Sequence, residues 1–472
     1  MKLERIEIKN YRSIEDFSFE VKQLEDGSFT YGLIGINEVG KSTILKAIGL
    51  KDGLKDITGD LPQQDDFRDE NDIEISYMYS LEDHEKMNVK NILESGGAVE
   101  IDINRIKSIT FEYKFNRSSP NNKIQSIKID DLTGDDISED VGAFLQDEIK
   151  KLENKTIFWT ADDRYLISKS IDLSQFSIDP NNISIPLKNC FALAGYNTPE
   201  SIKKIIDLAL NSSTKREALE NILGKKVTEH INSVWPKHKI TITFDISSNL
   251  ISFHINDSES EEEAKTAGQR SDGFKQFISF LLTVSAENKN GELKNVILLL
   301  DEPETHLHPQ AQEDLLKELI TITKNQNNNI TFFATHSNYM IDKDDLSRNY
   351  KIIKNPITKM VKFDKKISSY ASVTYEVFDL VSNDYHNELY STLHNRYIEE
   401  DESDTNRSII KNFDQNFFHK IKGLAQDKPW RGIPKSATLP THVRNCIDHP
   451  GSGMIFTIEE LRKSIEIMVS FL

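Results

Sequence analysis

A short segment that begins at Gly35 combines glycines, a lysine and hydroxyl side chains in the spacing that binds the phosphates of a nucleoside triphosphate. Four residues separate Gly35 from Gly40, which lets backbone N–H groups curl around phosphate oxygens. Lys41 can then reach the β- and γ-phosphates, and Ser42 can bind Mg²⁺. An apolar run, Tyr31–Ile34, precedes the segment and a helical pattern follows it, as in a P-loop. The predicted ligands are ATP and Mg²⁺, and the predicted nucleotide-binding residues are Gly35, Asn37, Gly40, Lys41, Ser42 and Thr43.

Two carboxylates follow an apolar stretch much further along the chain. Val296–Leu300 has the continuous apolar character of a buried parallel strand, and Asp301 and Glu302 come directly after it. Ligands of open α/β sheets bind at the carboxyl ends of the strands, so we expect both carboxylates beside the P-loop. Asp301 would hold Mg²⁺ together with Ser42. Glu302 would accept a proton from, or orient, the water that attacks the γ-phosphate, as in a Walker B element; an ordinary strand ending in a charged turn is the alternative.

The stretch QRSDGFKQ, at residues 269–276, resembles the signature motif of ABC-type ATPases. Ser271 and Gly273 fit the serine and the glycine that touch nucleotide in that motif. The arginine at position 270 and the aspartate at position 272 depart from it, so the match is partial. The resemblance implies that Ser271 and Gly273 bind nucleotide.

A second apolar strand, Ile330–Ala334, places His336 where ABC-type ATPases carry a switch histidine. Considered alone, a histidine at the end of a strand is more often structural. Its place after the P-loop, the signature motif and the Walker B strand favours a catalytic role. Asp301 follows Lys41 by 260 positions, so the ATPase domain must contain a large insertion.

These motifs, with NYRSI at residues 10–14 and DEPETHLHP at residues 301–309, resemble the SMC-related ATPases of the overcoming-lysogenization-defect (OLD) type. The resemblance covers residues 1–345. It implies that two ATPase heads dimerise around two nucleotides, so that Ser271 and Gly273 of one subunit face the P-loop of the other. The nuclease ligands that OLD proteins carry after the switch histidine are not found here, because Asp342–Asp345 fits a solvated turn better.

The ATPases of the Septu and PARIS systems are relatives in this sense, and they act in prokaryotic defence against phage. The resemblance therefore implies an ATPase subunit that senses or scaffolds and controls a separately encoded nuclease. Its expected partners are further copies of itself, as a homodimer or higher homo-oligomer, and that nuclease. An ATPase of DNA-repair type is an alternative.

The formal charge of −18 argues against a protein that coats DNA, since phosphate contacts need clustered lysine and arginine. DNA or RNA could still bind a local basic surface, for which a solvated helix face is the alternative. The candidate residues are Lys203, Lys204, Lys215, Arg216, Lys225 and Lys226.

A different motif lies near the carboxyl end, where Arg444 and His449 enclose four residues. This segment resembles the Arg-x4-His motif of HEPN ribonucleases. Arg444 could stabilise a charged phosphate while His449 moves a proton from the ribose 2′-hydroxyl, without a metal. Structural roles for both side chains are the alternative. A self-contained, ATP-gated ribonuclease toxin therefore stands beside the scaffold interpretation.

Composition and patterning indicate a large globular chain. The 472 residues are 37% hydrophobic, only Cys190 and Cys446 are present, and no apolar stretch approaches the ~18 residues of a membrane span. We therefore expect a cytoplasmic protein without a membrane partner.

The predicted fold class is α/β: an ABC-type P-loop ATPase head, with a mixed sheet and an antiparallel β lobe, a helical insertion and a mainly helical C-terminal domain. Strand patterns between residues 73 and 129 would form the lobe, and residues 176–186 are predicted to be a loop. The predicted domains are 1–195 (head with P-loop), 196–238 (helical insertion arm), 239–345 (head with signature, Walker B and switch histidine) and 346–472 (C-terminal domain).

Overall fold

The architecture comes from a computed structural model of the chain. It describes residues 1–472 except 53–61, 63, 70, 96–101, 130–146, 162, 168, 235–238, 258–264, 267–277, 280, 283–293, 306, 325–326, 343–344, 363–368 and 431–432. The chain divides into two compact units, Met1–Phe363 and Asp364–Leu472.

The first unit is built on strands from its whole length. They are β1 (Lys2–Tyr11), β2 (Ile14–Glu20), β3 (Thr30–Ile34), β4 (Ile73–Ser80), β5 (Ser108–Asn116), β6 (Ser119–Ile129), β7 (Lys155–Thr160), β8 (Ile171–Asp172), β9 (Ile240–Ser247), β10 (Leu250–Asp257), β11 (Lys265–Thr266), β12 (Val296–Asp301), β13 (Ile330–Thr335), β14 (Asn349–Lys354) and β15 (Thr358–Lys362). Its helices are α1 (Lys41–Gly49), α2 (Asp83–Ser95), α3 (Leu173–Ile178), α4 (Pro180–Ile183), α5 (Ile185–Leu193), α6 (Pro199–Asn211), α7 (Ser213–Val234) and α8 (Pro309–Lys324).

A six-stranded mixed sheet with the order β15-β14-β3-β13-β12-β7 forms the centre of this unit. The strands β14, β3, β13, β12 and β7 run parallel, and only β15 is antiparallel to its neighbour. Their carboxyl ends therefore meet at one edge of the sheet. Because β3 and β12 are separated only by β13, the P-loop after β3 and the carboxylates after β12 lie close together.

Alternate side chains of β12 enter two different hydrophobic cores. Ile297 and Leu299 pack with α1 and the antiparallel strands, whereas Leu298 and Leu300 pack with the helices on the other face. This division follows from the two-residue period of a strand. It explains why the strand is apolar at every position before Asp301.

The antiparallel lobe has the order β2-β1-β4-β5-β6, and β4, β5 and β6 lie in the segment 73–129 that was predicted to form it. Helix α1 shares the core between this sheet and the central sheet, with Ile44 and Ile48 fully buried. Burial on both sides therefore fixes the position of the P-loop helix. The predicted fold class, a mixed α/β ATPase head with an antiparallel lobe and a helical C-terminal region, is confirmed.

Three predictions about the fold need correction. The segment 196–238 does contain helices α6 and α7, but it is not a separate arm: Ile206, Leu223 and Val227 are buried in the same core as Leu298 and Leu300.

The predicted loop at 176–186 is also wrong, because α3, α4 and α5 occupy it. Asp179 and Ser184 accept hydrogen bonds that cap α4 and α5, and a proline follows each cap within two residues.

The third correction concerns the end of the ATPase unit. Residues 346–362 were assigned to the C-terminal domain, yet β14 pairs in parallel with β3 and forms an antiparallel hairpin with β15. We call β14 and β15 the 349–362 hairpin. Because the hairpin belongs to the central sheet, the division between units lies after it, at residue 363.

The second unit is mainly helical, as predicted. Its helices are α9 (Tyr370–Phe378), α10 (Asn383–Glu399), α11 (Ile410–Phe413), a π-helical segment (Asp414–Ile421), α12 (Leu439–Asp448) and α13 (Ile458–Val469). A short hairpin of β16 (Lys428–Trp430) and β17 (Ile433–Ala437) was not predicted. An aromatic core that includes Tyr390, Phe413 and Phe418 holds the helices together.

None of the helices in the described part of the chain combines the length and the apolar character that a membrane crossing requires.

Candidate functional site

The P-loop joins β3 to α1 in the conformation that its glycines allow. Gly40 has φ +102° and is the N-terminal cap of α1, in a region that favours glycine. No side chain caps this helix, so the N–H groups of its first turn are available to an anion. Asn37, Lys41 and Ser42 line a cavity of about 250 Å³ in front of the loop.

Lys41 folds back onto the loop that carries it. Its ammonium group donates hydrogen bonds to Gly35 O at 2.8 Å and Ile36 O at 2.9 Å. Burial lowers the pKa of Lys41, and the nearby carboxylates of Asp301 and Glu302 oppose this shift. The ammonium group is therefore held against the carbonyl oxygens of its own loop.

Ser42 and Asp301 form the contact between the P-loop and the Walker B strand. Ser42 Oγ donates a hydrogen bond of 2.8 Å to Asp301 Oδ1. Burial raises the pKa of Asp301, while the bond from Ser42 lowers it. A hydroxyl and a carboxylate held together offer the oxygen ligands that Mg²⁺ prefers, and Mg²⁺ commonly takes only one or two from the protein and the rest from phosphate and water. These residues therefore fit Mg²⁺.

Glu302 and His336 are brought together from the ends of β12 and β13. Glu302 Oε1 lies 3.1 Å from His336 Nδ1, and both side chains are partly exposed. Glu302 has φ +51°, which turns the chain sharply after the strand, and its N–H donates to Ala334 O at 3.0 Å. Its side chain also lines the P-loop cavity. The two predicted catalytic residues are thus adjacent, and one of them faces the nucleotide cavity.

Ser271 and Gly273 lie outside the described residues, as does the whole stretch 267–277. Their predicted contact with nucleotide stays a prediction.

Sequence reasoning missed Glu304, which links the two turns that carry the candidate catalytic residues. Its carboxylate is buried and accepts a hydrogen bond from the Thr335 hydroxyl. Thr335 Oγ1 in turn accepts a bond of 2.9 Å from the N–H of Ser337. This relay fixes the loop around His336 relative to the Walker B turn. The only signal in the sequence was a third acidic residue, two positions after Glu302.

The burial of Glu304 gives a testable pH dependence of stability. Burial raises the pKa of this carboxyl to about 7, from 4.5. Between these values the folded chain keeps a proton that the unfolded chain releases, so the free energy of unfolding falls as the pH rises through this window. Glu304→Gln cannot titrate and keeps an acceptor for Thr335. Between pH ~5 and pH ~8, we expect the free energy of unfolding of the variant to rise by up to roughly 3 kcal/mol relative to that of the wild type.

Thermal or urea unfolding of both proteins across this pH range measures the effect. Glu25→Gln, at an exposed position of the same unit, is the matched control. If the free energies of unfolding of Glu304→Gln and the wild type differ by the same amount at every pH, the raised pKa of Glu304 is contradicted.

Three further residues near the P-loop were also missed, all connected with the 349–362 hairpin. Ser13 and Lys354 line the nucleotide cavity, and Thr358 donates a hydrogen bond of 3.1 Å to Val39 O in the loop. Ser13 lies in the NYRSI motif, which could have indicated it. Nothing in the sequence around Lys354 points to a site.

Arg444 and His449 lie in the second unit, at the end of α12. The Arg444 guanidinium lies 2.6 Å from Asp448 Oδ2, and Asn387 donates to the other oxygen of that carboxylate at 3.2 Å. His449 is exposed and is the residue that ends the helix. His386, on α10 of the same unit, is buried, and its Nε2 lies 2.9 Å from Ser464 Oγ.

A P-loop that opens a helix, joined through Ser42 and Asp301 to an acidic turn after β12 of the same parallel sheet, defines a P-loop ATPase domain. The chain belongs to the AAA ATPase domain family, whose model matches residues 1–341. That match ends before the 349–362 hairpin.

Relatives and solved structures are distant. An uncharacterized protein of Methanocaldococcus jannaschii is 29% identical over 123 residues, which are 25% of this chain and 31% of that protein. The match thus spans about a third of the relative's length. The SMC head bound to the C-winged helix domain of ScpA is 11% identical with a TM-score of 0.43, covering 78% of this chain and 99% of that one. The SMC head domain from Thermotoga maritima is 11% identical with a TM-score of 0.37, covering 77% and 100%.

Proposed function

We propose that this chain binds ATP with Mg²⁺ and hydrolyses it to ADP and phosphate. The observation that carries the proposal is the hydrogen bond between Ser42 and Asp301, because it joins the phosphate loop to the Walker B carboxylate. When bound, Mg²⁺ would be held by these two side chains and would neutralise charge on the β- and γ-phosphates.

The other residues act on the nucleotide and on water. Lys41 would leave the carbonyl oxygens of the loop and donate to phosphate oxygens instead. Glu302 would take a proton from the attacking water. The water oxygen would bond to the γ-phosphorus while the bond between that phosphorus and the β–γ bridging oxygen breaks. His336, 3.1 Å from Glu302, would hold that carboxylate in place. Release of phosphate from ATP by the purified chain tests the proposal.

We further propose that the ATPase belongs to a prokaryotic anti-phage defence system and controls a separately encoded nuclease. The support is the motif series of the OLD type, with relatives in the Septu and PARIS systems. Ser271 and Gly273 would complete the nucleotide site of a second head in a homodimer or higher homo-oligomer. The protein would work in the cytoplasm, where DNA or RNA is a further candidate ligand.

Mass determination of the chain, with and without the product of its neighbouring gene, tests this assignment in ATP and Mg²⁺. A stable co-complex, together with phage resistance that is lost on Lys41→Ala, is the expected result. A homo-oligomer that ignores the neighbouring gene product would contradict the scaffold role. A DNA-repair ATPase would instead be recognised by DNA-stimulated ATP hydrolysis without phage resistance.

A second candidate function is ribonuclease activity of the C-terminal unit. The observation that favours it is that one helix carries both Arg444 and the exposed His449, with Arg444 paired to Asp448 and Asn387 donating to the same carboxylate. In this mechanism His449 takes the proton of the ribose 2′-hydroxyl while Arg444 stabilises charge on the phosphate.

For this second candidate, we expect His449→Ala to lower RNA cleavage by the purified chain at least about 100-fold, because the proton acceptor is lost. A labelled RNA separated on a denaturing gel measures the rate. His84→Ala, at an exposed position in the ATPase unit, is the control. Cleavage that is equal in wild type and His449→Ala, or absent from both, would contradict a catalytic role of His449 and favour the scaffold function.

A further inference from the structure

The 349–362 hairpin packs directly against the P-loop. A Cβ added to Gly40 would lie 2.4 Å from Thr358 Oγ1, and one added to Gly35 would lie 2.8 Å from Ile352 O. Both separations are far below van der Waals contact, so only glycine permits this approach. The hairpin and the phosphate loop are therefore one packed assembly, although more than 300 residues separate them in the sequence.

Hydrogen bonds fix the hairpin to the loop and to the first strands. Thr358 Oγ1 donates to Val39 O at 3.1 Å and lies 2.7 Å from Ser13 Oγ, while the Thr358 N–H donates to Ser13 O at 2.9 Å. Thr358 is buried. The anchored side chain thus holds the start of β15, and with it the end of β14, in a defined place.

The end of β14 delivers Lys354 to the wall of the nucleotide cavity. Glu38 and Glu302 also line the cavity. Lys41 and Lys354 are the two lysines among its lining residues. Lys354 is exposed, and a four-carbon side chain can place its ammonium group over a bound polyphosphate. A triphosphate carries more charge than Lys41 and one Mg²⁺ neutralise, which favours a second cation.

We propose that Lys354 is a phosphate-binding residue of the nucleotide site and that the 349–362 hairpin is part of that site. The inference rests on the proposed binding of ATP in this cavity. It assigns a ligand contact to a segment beyond residues 1–341, where the family match ends. A lysine that lies only at the surface would gain little from a nearby charge, whereas a contact within the partly enclosed cavity would gain more.

The test is the affinity of the purified full-length chain for ATP, ADP and AMP, measured by isothermal titration calorimetry. We expect Lys354→Ala to raise the Kd for ATP about tenfold, because a charge-assisted hydrogen bond to phosphate is lost. The effect should decrease from ATP to AMP as phosphates are removed. Lys354→Arg, which keeps the charge, should restore most of the affinity for ATP.

Lys359→Ala is the matched control, because Lys359 is an exposed lysine on the other strand of the same hairpin. It should bind ATP like the wild type. Thermal unfolding of each variant shows whether the hairpin is intact, and Lys354→Gln provides a second uncharged variant if the alanine variant does not fold.

The outcomes separate this inference from the proposed function. If the wild type binds ATP and Lys354→Ala binds it equally well, the role of Lys354 is refuted and the ATPase proposal stands. An equal loss of affinity for ATP and AMP would refute phosphate binding by Lys354. If the wild type and all variants fail to bind ATP, the proposed function itself is wrong.

Discussion

Lys41→Ala is expected to weaken ATP binding at least about 100-fold, which corresponds to about 2.7 kcal/mol. The ammonium group donates two hydrogen bonds to loop carbonyl oxygens, which phosphate oxygens would replace in the proposed complex. Alanine removes both the charge and the donors. The loop also loses the bonds that hold Gly35 O and Ile36 O together, so its shape before binding should be less defined.

Calorimetric titration with ATP measures the loss. Lys317→Ala, on the exposed face of α8, should bind ATP like the wild type. Thermal unfolding of the Lys41 variant separates a lost ligand contact from a lost fold. Binding within about threefold of the wild type would show that the P-loop cavity is not the nucleotide site.

Glu302→Gln is expected to keep ATP binding and to lower hydrolysis about 100- to 1,000-fold, as removal of a general base does. Glutamine retains the size of the side chain and can still contact His336, but it cannot accept a proton from water. Trapped ATP should also stabilise the proposed dimer of heads. Single-turnover phosphate release, with bound nucleotide counted separately, measures both parts of the prediction.

Glu25→Gln, in the same unit and away from the P-loop cavity, is the control for the loss of one carboxylate. Hydrolysis by Glu302→Gln at the wild-type rate would refute the assignment of the general base. In that case His336, which lies 3.1 Å away, becomes the next candidate, and His336→Ala should abolish turnover.

The local parts of the site were predictable because each is specified by adjacent residues. The P-loop needs Gly35, Gly40 and Lys41 at fixed spacing within one short segment. The apolar run before Asp301 indicates a strand that is buried on both faces. The meeting of Ser42 with Asp301 was also predictable, since parallel strands share one carboxyl edge. The same rule explains why Glu302 and His336, which follow the ends of neighbouring strands, lie side by side.

Contacts between segments that are distant in the sequence were not predictable. The strand β14 carries no motif, and its apolar residues fit an edge strand of either domain equally well. Its pairing with β3 depends on hydrogen bonds that any two extended segments can form. The helices α6 and α7 had clear apolar faces, but periodicity does not identify which core a face enters.

The sequence by itself therefore determined the candidate chemistry of this protein: a phosphate loop, the two halves of a candidate magnesium-binding pair and a candidate base, each encoded in a few consecutive residues. The tertiary structure alone decided what surrounds them. It brought the 349–362 hairpin to the P-loop, placed Lys354 on the cavity wall and buried Glu304 against Thr335. The physical reason is that residue type and spacing fix local conformation and reactivity, whereas burial and contacts across the sheet depend on the packing of the whole unit.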